Sequence, residues 1–409
     1  NSKEDFWSVV ESKATNEEGA TALRNDPIFA DKVVSSLKAI IKDDNITDKK
    51  LAWSIIKIII YVLTKGRFDN QSIDITKNQA ILTTAITIFK ISQQDENYFL
   101  LNDIIKVIGL FIKFYCYYSN GIDLSICNGF LRYVPNVLTT PGRAPNLHIN
   151  MLKAVGLMIT AANIVPKRSL LFYKSIIDFN IINVLVQVIK NNKNQQFLLT
   201  KSCLECLAIL IFPINGDIHA FPFLRNENME NKFDGYNDVK TAFSHIELLK
   251  KHCFQVCLDE KIFELFPTLY ESENDASIKA TILKILLQFL RFNPKEIFHY
   301  FTTTNSVYVK IINSAMTSAD MDKKNIIHLG ILNMIEIVKF GNMNSLNVID
   351  FGYEIQTVLN YLNKIFQTDG TILCLTFVLL SECMAMSSKF NIFNPKFLKI
   401  IKETIRNSP

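Results

Sequence analysis

The feature that most constrains this chain is a helical period of apolar residues that runs through almost its whole length. Ala276–Phe292 shows the period most plainly. Its polar side chains recur at intervals of three and four residues, so they lie on one narrow stripe of a helix. They are Ser277, Thr281, Lys284, Gln288 and Arg291. The rest of the helix surface is apolar, and so wide an apolar arc has to be covered on more than one side.

The same pattern recurs elsewhere in the chain, for example in Leu51–Lys65 and Asn325–Phe340. Only 13 glycines and 11 prolines occur in 409 residues, which favours long helices with short connections. No segment shows sustained strand alternation. Further helices are predicted at about 27–42, 76–92, 97–119, 124–138, 146–164, 169–191, 196–212, 238–257, 259–271, 294–317, 352–367, 370–388 and 395–406.

Helices that are apolar on several sides suit the middle of a stacked array better than the surface of a simple bundle. The interval from one helical hairpin to the next is roughly 35–45 residues, which is the range of armadillo and HEAT units. The pattern therefore predicts an all-α, armadillo/HEAT-like α-solenoid, a right-handed superhelix of stacked helical hairpins. We expect one continuous array over 1–409. No repeated sequence motif recurs at this interval.

One long segment without helical period, at about 214–237, is predicted to be a loop inserted between two helices. A long insertion of this kind is often a binding element. The residues predicted to contact a partner protein there are Phe221, Phe223, Arg225, Phe233 and Tyr236. The alternative is a loop whose aromatic side chains pack onto the solenoid itself.

Charge and hydropathy exclude several classes of partner. The 44 basic and 39 acidic residues give a net charge of +5 and are spread along the chain, whereas a nucleic-acid-binding protein concentrates basic residues on one face. The most apolar runs, Ile55–Leu63 and Thr371–Met386, are interrupted by Lys57 and Glu382. Neither reaches the ~20 apolar residues of a membrane span. We expect no nucleic acid partner and no transmembrane segment.

The ends and the cysteines of the chain predict where it works and in what state. The first residues are polar and charged and show no signal-peptide pattern. Most of the cysteines lie inside apolar helical runs, where a free thiol behaves as a small hydrophobic side chain. Both features favour a reducing, cytoplasmic compartment. The polar segments 1–13 and 395–409 can cap a repeat array, which favours a monomer.

Four cysteines have a spacing that invites a metal site. They are Cys203, Cys206, Cys253 and Cys257, with His245 and His252 nearby. Zinc ligands usually lie on turns whose backbone amides help to hold the thiolates. These cysteine pairs are instead three and four residues apart in apolar helical runs, so each pair shares one helix face. We expect them to be core residues and predict neither a metal nor a cofactor.

No motif supports an enzyme. Asp350-Phe351-Gly352 matches the magnesium-binding tripeptide of protein kinases. The glycine-rich phosphate loop, the paired lysine and glutamate, and the His-Arg-Asp catalytic loop that phosphoryl transfer requires do not accompany it. No Walker loop and no metalloprotease or nucleophile-elbow motif occurs. The sequence therefore predicts a protein without catalytic residues.

The N-terminal segment resembles a known family. A helix led by an aromatic pair, Phe6–Glu11, is followed by a small-residue turn, Thr15–Ala20, and by the start of a long helix, Leu23–Phe29. This order resembles the beginning of the non-catalytic C-terminal region of Fused-family serine/threonine kinases, with a weaker echo at Cys203–Ala208 and Phe212–Asp217. The resemblance implies a cytoplasmic scaffold that binds kinesin-type motors and serves microtubule structures such as the ciliary axoneme. It transfers no catalytic residue.

Two functions follow from these observations. The first is a non-enzymatic protein-binding scaffold that links a kinesin-type motor or a microtubule or axonemal partner to a Fused-like pathway. The alternative is an armadillo-type adaptor for transport or cargo peptides. Such adaptors commonly use a ladder of Asn and Trp in an acidic groove, whereas Trp7 and Trp53 are the two tryptophans of this chain and both fall in its first helices.

Overall fold

In the computed structural model, the described part of the chain is helical nearly throughout, so the all-α prediction is confirmed. The described residues are 2–67, 75–94, 98–115, 127–140, 144–164, 170–192, 197–211, 248–249, 251–272, 275–301, 311, 314, 324–344, 370–384, 399, 402–403 and 406. They fall into two compact units, Asn1–Glu260 and Lys261–Pro409. The single continuous array over 1–409 stays a prediction.

The N-terminal unit contains twelve labelled helices in its described part. They are α1 Ser2–Ala14, α2 Glu17–Arg24, α3 Pro27–Ala39, α4 Lys49–Lys65, α5 Gln79–Ile91, α6 Tyr98–Tyr115, α7 Asn128–Leu131, α8 Val134–Thr139, α9 Pro145–Ile164, α10 Leu170–Asp178, α11 Ile181–Asn191 and α12 Phe197–Ile211. Short 3₁₀ turns precede and follow α5, at Ile75–Lys77 and Ser92–Gln94. Residues 251–259 are also helical.

Several of these helices begin at side-chain caps that the sequence supplies. Asp26 accepts a hydrogen bond from the amide of Ile28 at the start of α3, and Pro27 occupies the first turn, where its missing N–H has no partner to lose. Asp48 and Asn78 cap α4 and α5 in the same way. A side-chain oxygen at this position satisfies one of the amides that the first helical turn leaves unpaired.

A short hairpin joins α3 to α4, where the sequence predicted helix as far as residue 42. Strands β1 Ile41–Lys42 and β2 Asn45–Ile46 pair antiparallel. Asp43 and Asp44 between them both have positive φ, 49° and 55°, as a two-residue type I′ turn requires. Aspartate tolerates this conformation better than most residues, so the hairpin replaces the last turn of the predicted helix.

Four helices of the N-terminal unit form one row. Helix α4 packs on α6, α6 on α9, and α9 on α12. A second row consists of α3, α5, the α7–α8 pair and the α10–α11 pair, and α5, α8 and α11 each pack on the helix that follows in the first row. The first-row helices begin at residues 49, 98, 145 and 197. These intervals, 49, 47 and 52 residues, are longer than the 35–45 residues predicted.

The first-row helices run in the same direction. Asn102 of α6 bonds to Asn150 of α9, and further along both helices Gly109 lies beside Ala154. The N-terminal halves of α4 and α6 meet through a hydrogen bond from Trp53 to Asp103. Their C-terminal ends meet around Arg24, which bonds to the carbonyl of Gly66 and stacks on Phe114. Equivalent turns of neighbouring helices are therefore side by side.

At two seams of the row, a glycine of one helix faces the neighbouring helix at ordinary contact distance. A Cβ added at Gly109 would lie 3.5 Å from Ala154, and one added at Gly156 would lie 3.5 Å from the sulfur of Cys206. Around these seams most apolar side chains of α4, α6 and α9 are buried, as apolar helices of this width require.

Two predicted helices are each divided in the structure. The helix predicted at 169–191 is α10 and α11, and the one predicted at 124–138 contains α7 and α8. Asn180, between α10 and α11, has a φ of 53°, which an α-helix cannot include. The apolar period continues through each break, so periodicity alone did not reveal either one.

The C-terminal unit contains five labelled helices in its described part. They are α13 Phe266–Ser272, α14 Ala276–Phe292, α15 Pro294–Ile297, α16 Lys324–Met343 and α17 Gly370–Met384, with 3₁₀ turns at Ile262–Leu265 and Phe298–Phe301. Helix α14 packs on α16, and α16 on α17. The predicted helix 352–367 and nearly all of 395–406 lie outside the described residues.

One helix in the described part is long and apolar enough to cross a membrane by length and composition. It is Asn325–Met343, with a mean hydropathy of 1.2. However, 61% of this stretch is buried inside the protein, against α14 and α17. The core helix of a soluble protein has the same length and composition, so the helix is weak support for a membrane span.

A candidate protein-binding surface on the first helix row

The most distinctive surface in the described part of the chain lies on α4, α6 and α9, on the side turned away from the second row. Here we call it the lysine surface. It consists of Trp53 and Lys57 of α4, Phe99, Asn102, Asp103 and Lys106 of α6, and Asn150 and Lys153 of α9. These residues recur at intervals of three and four within each helix, so they form one stripe per helix. All of them are half-buried or exposed.

A chain of contacts joins the stripes of α4 and α6. The indole Nε1 of Trp53 donates a hydrogen bond of 2.9 Å to a carboxylate oxygen of Asp103. On α4, Lys57 Nζ lies 3.6 Å from the centre of the Trp53 ring, close enough for a cation–π interaction. On α6, Lys106 Nζ lies 3.0 Å from the other oxygen of Asp103. The ring of Phe99, 72% exposed, lies 6.2 Å from that of Trp53.

A second contact joins α6 to α9. Asn150 Nδ2 donates a hydrogen bond of 2.7 Å to Asn102 Oδ1. Each amide group has both a donor and an acceptor. Among the described residues, the Nδ2 of Asn102 and the Oδ1 of Asn150 have no protein partner. The pair therefore presents one donor and one acceptor toward solvent, which are the groups that a peptide backbone can satisfy.

Lysines occupy the same position in all three helices. Lys57, Lys106 and Lys153 are each the ninth residue of their helix. Asp103 is the only carboxylate in the sequences of α4, α6 and α9, and it already bonds to Trp53 and Lys106. The residues that form the surface therefore carry three lysines against one carboxylate, although the net charge of the whole chain is only +5.

The chemistry of this surface is that of binding. Its aromatic rings, amides and ammonium groups provide contact area, hydrogen bonds and charge, but it holds no nucleophile next to a base. In the part of the chain that the structure describes, no three His, Cys, Asp or Glu side chains lie close enough together to hold a metal ion.

The sequence-predicted partner residues cannot be placed. Phe221, Phe223, Arg225, Phe233 and Tyr236, with the whole segment 214–237, lie outside the described residues. Asp350, Phe351 and Gly352 also lie outside them. The inserted binding loop and the interpretation of the kinase-like tripeptide as a chance match therefore stay predictions.

The four cysteines with zinc-like spacing are buried in the N-terminal unit. Burial raises the pKa of the Cys206 thiol to about 12, and raises that of Cys203 well above its usual value. For Cys253, a hydrogen bond with Cys257 and burial raise the pKa. A nucleophilic thiol reacts as the thiolate, and these shifts disfavour that form. All four side chains are buried, as core residues are, and His245 lies outside the described residues.

The two tryptophans have different environments. Trp7 is 3% exposed and packs edge-on against Phe6 and Phe29. Trp53 is half-buried and belongs to the lysine surface. A tryptophan ladder would need one indole on each successive helix, and the equivalent fifth positions of α6 and α9 hold Asn102 and Ile149.

Sequence reasoning missed the lysine surface, although a signal for it exists. Each of the three lysines lies on the polar stripe of a largely apolar helix, which usually means a solvated face. Their equivalence appears only when α4, α6 and α9 are aligned from their first residues. That alignment requires helix boundaries that a single sequence gives only to within a few residues.

Comparisons with known proteins do not identify the chain. No protein-family model and no curated protein matches it. Among solved structures, one engineered protein of the Northeast Structural Genomics Consortium has a TM-score of 0.42 and 11% identity, covering 74% of this chain and 97% of its own. Another has a TM-score of 0.30 and 12% identity, covering 91% of this chain and 98% of its own. Similarities this low carry no argument, and the Fused-family resemblance stays a prediction.

Proposed function

We propose that this chain is a non-enzymatic protein-binding scaffold built as an armadillo/HEAT-type α-solenoid. Parallel first-row helices, each preceded by helices of a second row, are the arrangement expected of stacked helical hairpins. One kind of helix–helix contact occurs inside each unit. Cys206 Sγ bonds to the carbonyl of Leu152, and Asn333 Nδ2 bonds to that of Leu283. Each contact joins the eighth residue of one helix to the tenth residue of the next.

The observation that carries the scaffold function is the lysine surface. Its hydrogen bonds span three helices, so the surface is held in one geometry before any partner arrives, and preorganisation lowers the entropy lost on binding. Aromatic residues flanked by polar groups are typical of the residues that dominate binding energy in protein interfaces.

The partner that the N-terminal resemblance implies is a kinesin-type motor or another microtubule or axonemal protein, bound in the cytoplasm by a monomeric scaffold of a Fused-like pathway. The alternative function, an adaptor for transport or cargo peptides, needs an acidic groove if the cargo is basic. The excess of lysine over carboxylate on α4, α6 and α9 favours the scaffold.

Affinity capture from cell lysate, with the chain as bait and mass spectrometry as the readout, tests this function. Salt near ~0.15 M screens weak contacts between exposed charges. We expect Trp53→Ala with Phe99→Ala to lower partner recovery at least about tenfold, because a truncated aromatic anchor often costs ~2 kcal/mol or more. Deleting 217–234 in a parallel bait tests the predicted inserted segment.

The matched control is Val9→Ala with Ile28→Ala, which removes exposed apolar side chains from α1 and α3. Circular dichroism shows whether each variant keeps its helical content. If the double variant unfolds, partner recovery is measured with Phe99→Ala alone. Recovery of a kinesin or axonemal protein supports the implied partner, and recovery of basic cargo proteins supports the adaptor. Equal recovery by wild type and by both aromatic variants contradicts a function for this surface.

A further inference from the structure

The charges of the lysine surface indicate the chemistry of its partner, provided that the surface is the binding site proposed above. Lys57, Lys106 and Lys153 repeat at one position of three adjacent helices. Asp103, the only carboxylate of these helices, is already bonded to Trp53 and Lys106. A partner of complementary charge would therefore bring its own carboxylates.

The spacing of the lysines fits an extended chain. Packed helices lie ~8–10 Å apart, so neighbouring lysines are separated by about that distance. A polyproline II segment rises ~3.1 Å per residue and has about three residues per turn. Every third side chain of such a segment therefore points to the same side, at intervals of ~9 Å. The chain would cross the three helices and meet one lysine on each.

The neighbouring groups favour a peptide over a nucleic acid. Asn102 and Asn150 present a donor and an acceptor that match the amide and carbonyl of a backbone. Single-stranded nucleic acid is usually held by bases stacked on open aromatic faces. Lys57 covers one face of Trp53, and the indole N–H is already bonded to Asp103.

We propose that the lysine surface binds an extended acidic segment of a partner protein, with a carboxylate at about every third residue paired with Lys57, Lys106 and Lys153. The Asn102–Asn150 pair bonds to the backbone of this segment, and Phe99 contacts an apolar residue between the carboxylates.

Fluorescence anisotropy with a labelled synthetic peptide tests this pairing. The probe has about twelve residues, with glutamate at every third position and alanine and proline between, as the polyproline II spacing requires. Two comparison peptides have glutamine in place of each glutamate, or the same glutamates moved to adjacent positions. We expect binding that weakens as salt rises, and about tenfold weaker binding of the glutamine peptide, because several exposed ion pairs are lost together.

A matched pair of variants locates the site. Lys57→Gln, Lys106→Gln and Lys153→Gln together should weaken the glutamate peptide about tenfold. The control combines Lys38→Gln, Lys90→Gln and Lys174→Gln, which removes the same charge from exposed lysines of α3, α5 and α10, and should change the affinity less than about twofold. If a variant does not fold, the comparison of the glutamate and glutamine peptides on the wild-type protein still tests the proposal.

Four results overturn the proposal. They are equal binding of the glutamate and glutamine peptides, equal binding of the adjacent-glutamate peptide, unchanged affinity of the Lys57, Lys106 and Lys153 variant, and tighter binding of a thymidine oligonucleotide of the same charge. Failure of the acidic-segment proposal can be distinguished from failure of the scaffold function. If Trp53→Ala with Phe99→Ala loses a captured partner while the glutamate peptide does not bind, the surface is a binding site and its partner is not acidic.

Discussion

At Gly66 the chain leaves α4 so close to α2 that a methyl group has no room. A Cβ at this position would lie 2.9 Å from the carbonyl oxygen of Ala20 and 2.6 Å from that of Val62. Both are backbone atoms, which cannot rotate away as the end of a side chain can. The carbonyl of Gly66 also accepts a hydrogen bond of 3.0 Å from the buried guanidinium of Arg24. The glycine thus sets how closely α2 docks on α4.

Gly66→Ala should therefore lower the free energy of unfolding by ~1–3 kcal/mol, because the added methyl forces the backbone of α2 or α4 to shift. The matched control is Gly109→Ala, where the nearest atoms to the new Cβ are 3.5 Å away, an ordinary contact distance. Replacing glycine within a helix usually stabilises it by up to ~1 kcal/mol. Urea unfolding followed by circular dichroism measures both. A Gly66→Ala variant as stable as wild type would show that α2 is not docked in this way.

Arg24 shows what a sequence cannot reveal at the scale of one residue. Its side chain is 1% exposed, bonds to the carbonyls of Leu63 and Gly66, and stacks on Phe114 at 4.1 Å. A cation at the C-terminal end of α4 is favoured by the helix dipole. The sequence placed Arg24 at the start of a long helix, Leu23–Phe29, whereas in the structure it is the last residue of α2, where a basic side chain usually faces solvent. Only the docking of α2 on α4 and α6 buries it.

At the scale of elements, Asn180 decides where α10 ends and α11 begins. Its φ of 53° is a left-handed conformation in which asparagine and glycine are tolerated and most other residues are strained. The buried residues on both sides keep a helical period, so the sequence predicted one helix over 169–191.

Asn180→Gly should keep the free energy of unfolding within ~0.5 kcal/mol of wild type, whereas Asn180→Ala should lower it by ~1–2 kcal/mol, because alanine resists the left-handed conformation. Thermal unfolding of the two variants, side by side, gives the comparison. If Asn180→Ala proved the more stable of the two, α10 and α11 would form a continuous helix as the period alone suggested.

Much of the helical structure could be predicted, and the reason is visible in particular elements. Leu51–Lys65 was predicted from its apolar period and corresponds to α4, Lys49–Lys65, because a helix that is apolar on most sides has no other stable conformation in a packed core. The β1–β2 hairpin was missed, since its strands have two residues each and show no alternation. Helix breaks and hairpins depend on single residues in unusual conformations. The hydrophobic period is a property of many residues together, so it does not reveal them.

The candidate surface could not be predicted, because it exists only across helices. Trp53 and Asp103 are 50 residues apart in the sequence, and Asn102 and Asn150 are 48 apart. The sequence identified the polar stripe of α4, but a wide apolar arc does not say which neighbour covers which side. The predicted inserted loop at 214–237 differs from this surface. Its composition is conspicuous in the sequence, but its residues lie outside the described part of the chain.

At the scale of the whole molecule, charge that is spread evenly along the sequence becomes uneven in space. The net charge of +5 over 409 residues argued against any concentrated basic face. Stacking α4, α6 and α9 in parallel nevertheless brings Lys57, Lys106 and Lys153 to one side, because each occupies the same turn of its helix. Repeated helices can thus build a charged surface from residues that are far apart in the sequence. The overall amino-acid composition does not reveal such a surface.

Crosslinking of a captured complex shows whether a partner binds on α4, α6 and α9. An amine-reactive crosslinker followed by mass spectrometry reports which lysines lie next to the partner. We expect the crosslinks to concentrate at Lys57, Lys106 and Lys153. Crosslinks that concentrate instead at Lys38, Lys90 and Lys174, on helices of the second row, would place the partner elsewhere and rule out binding on the lysine surface.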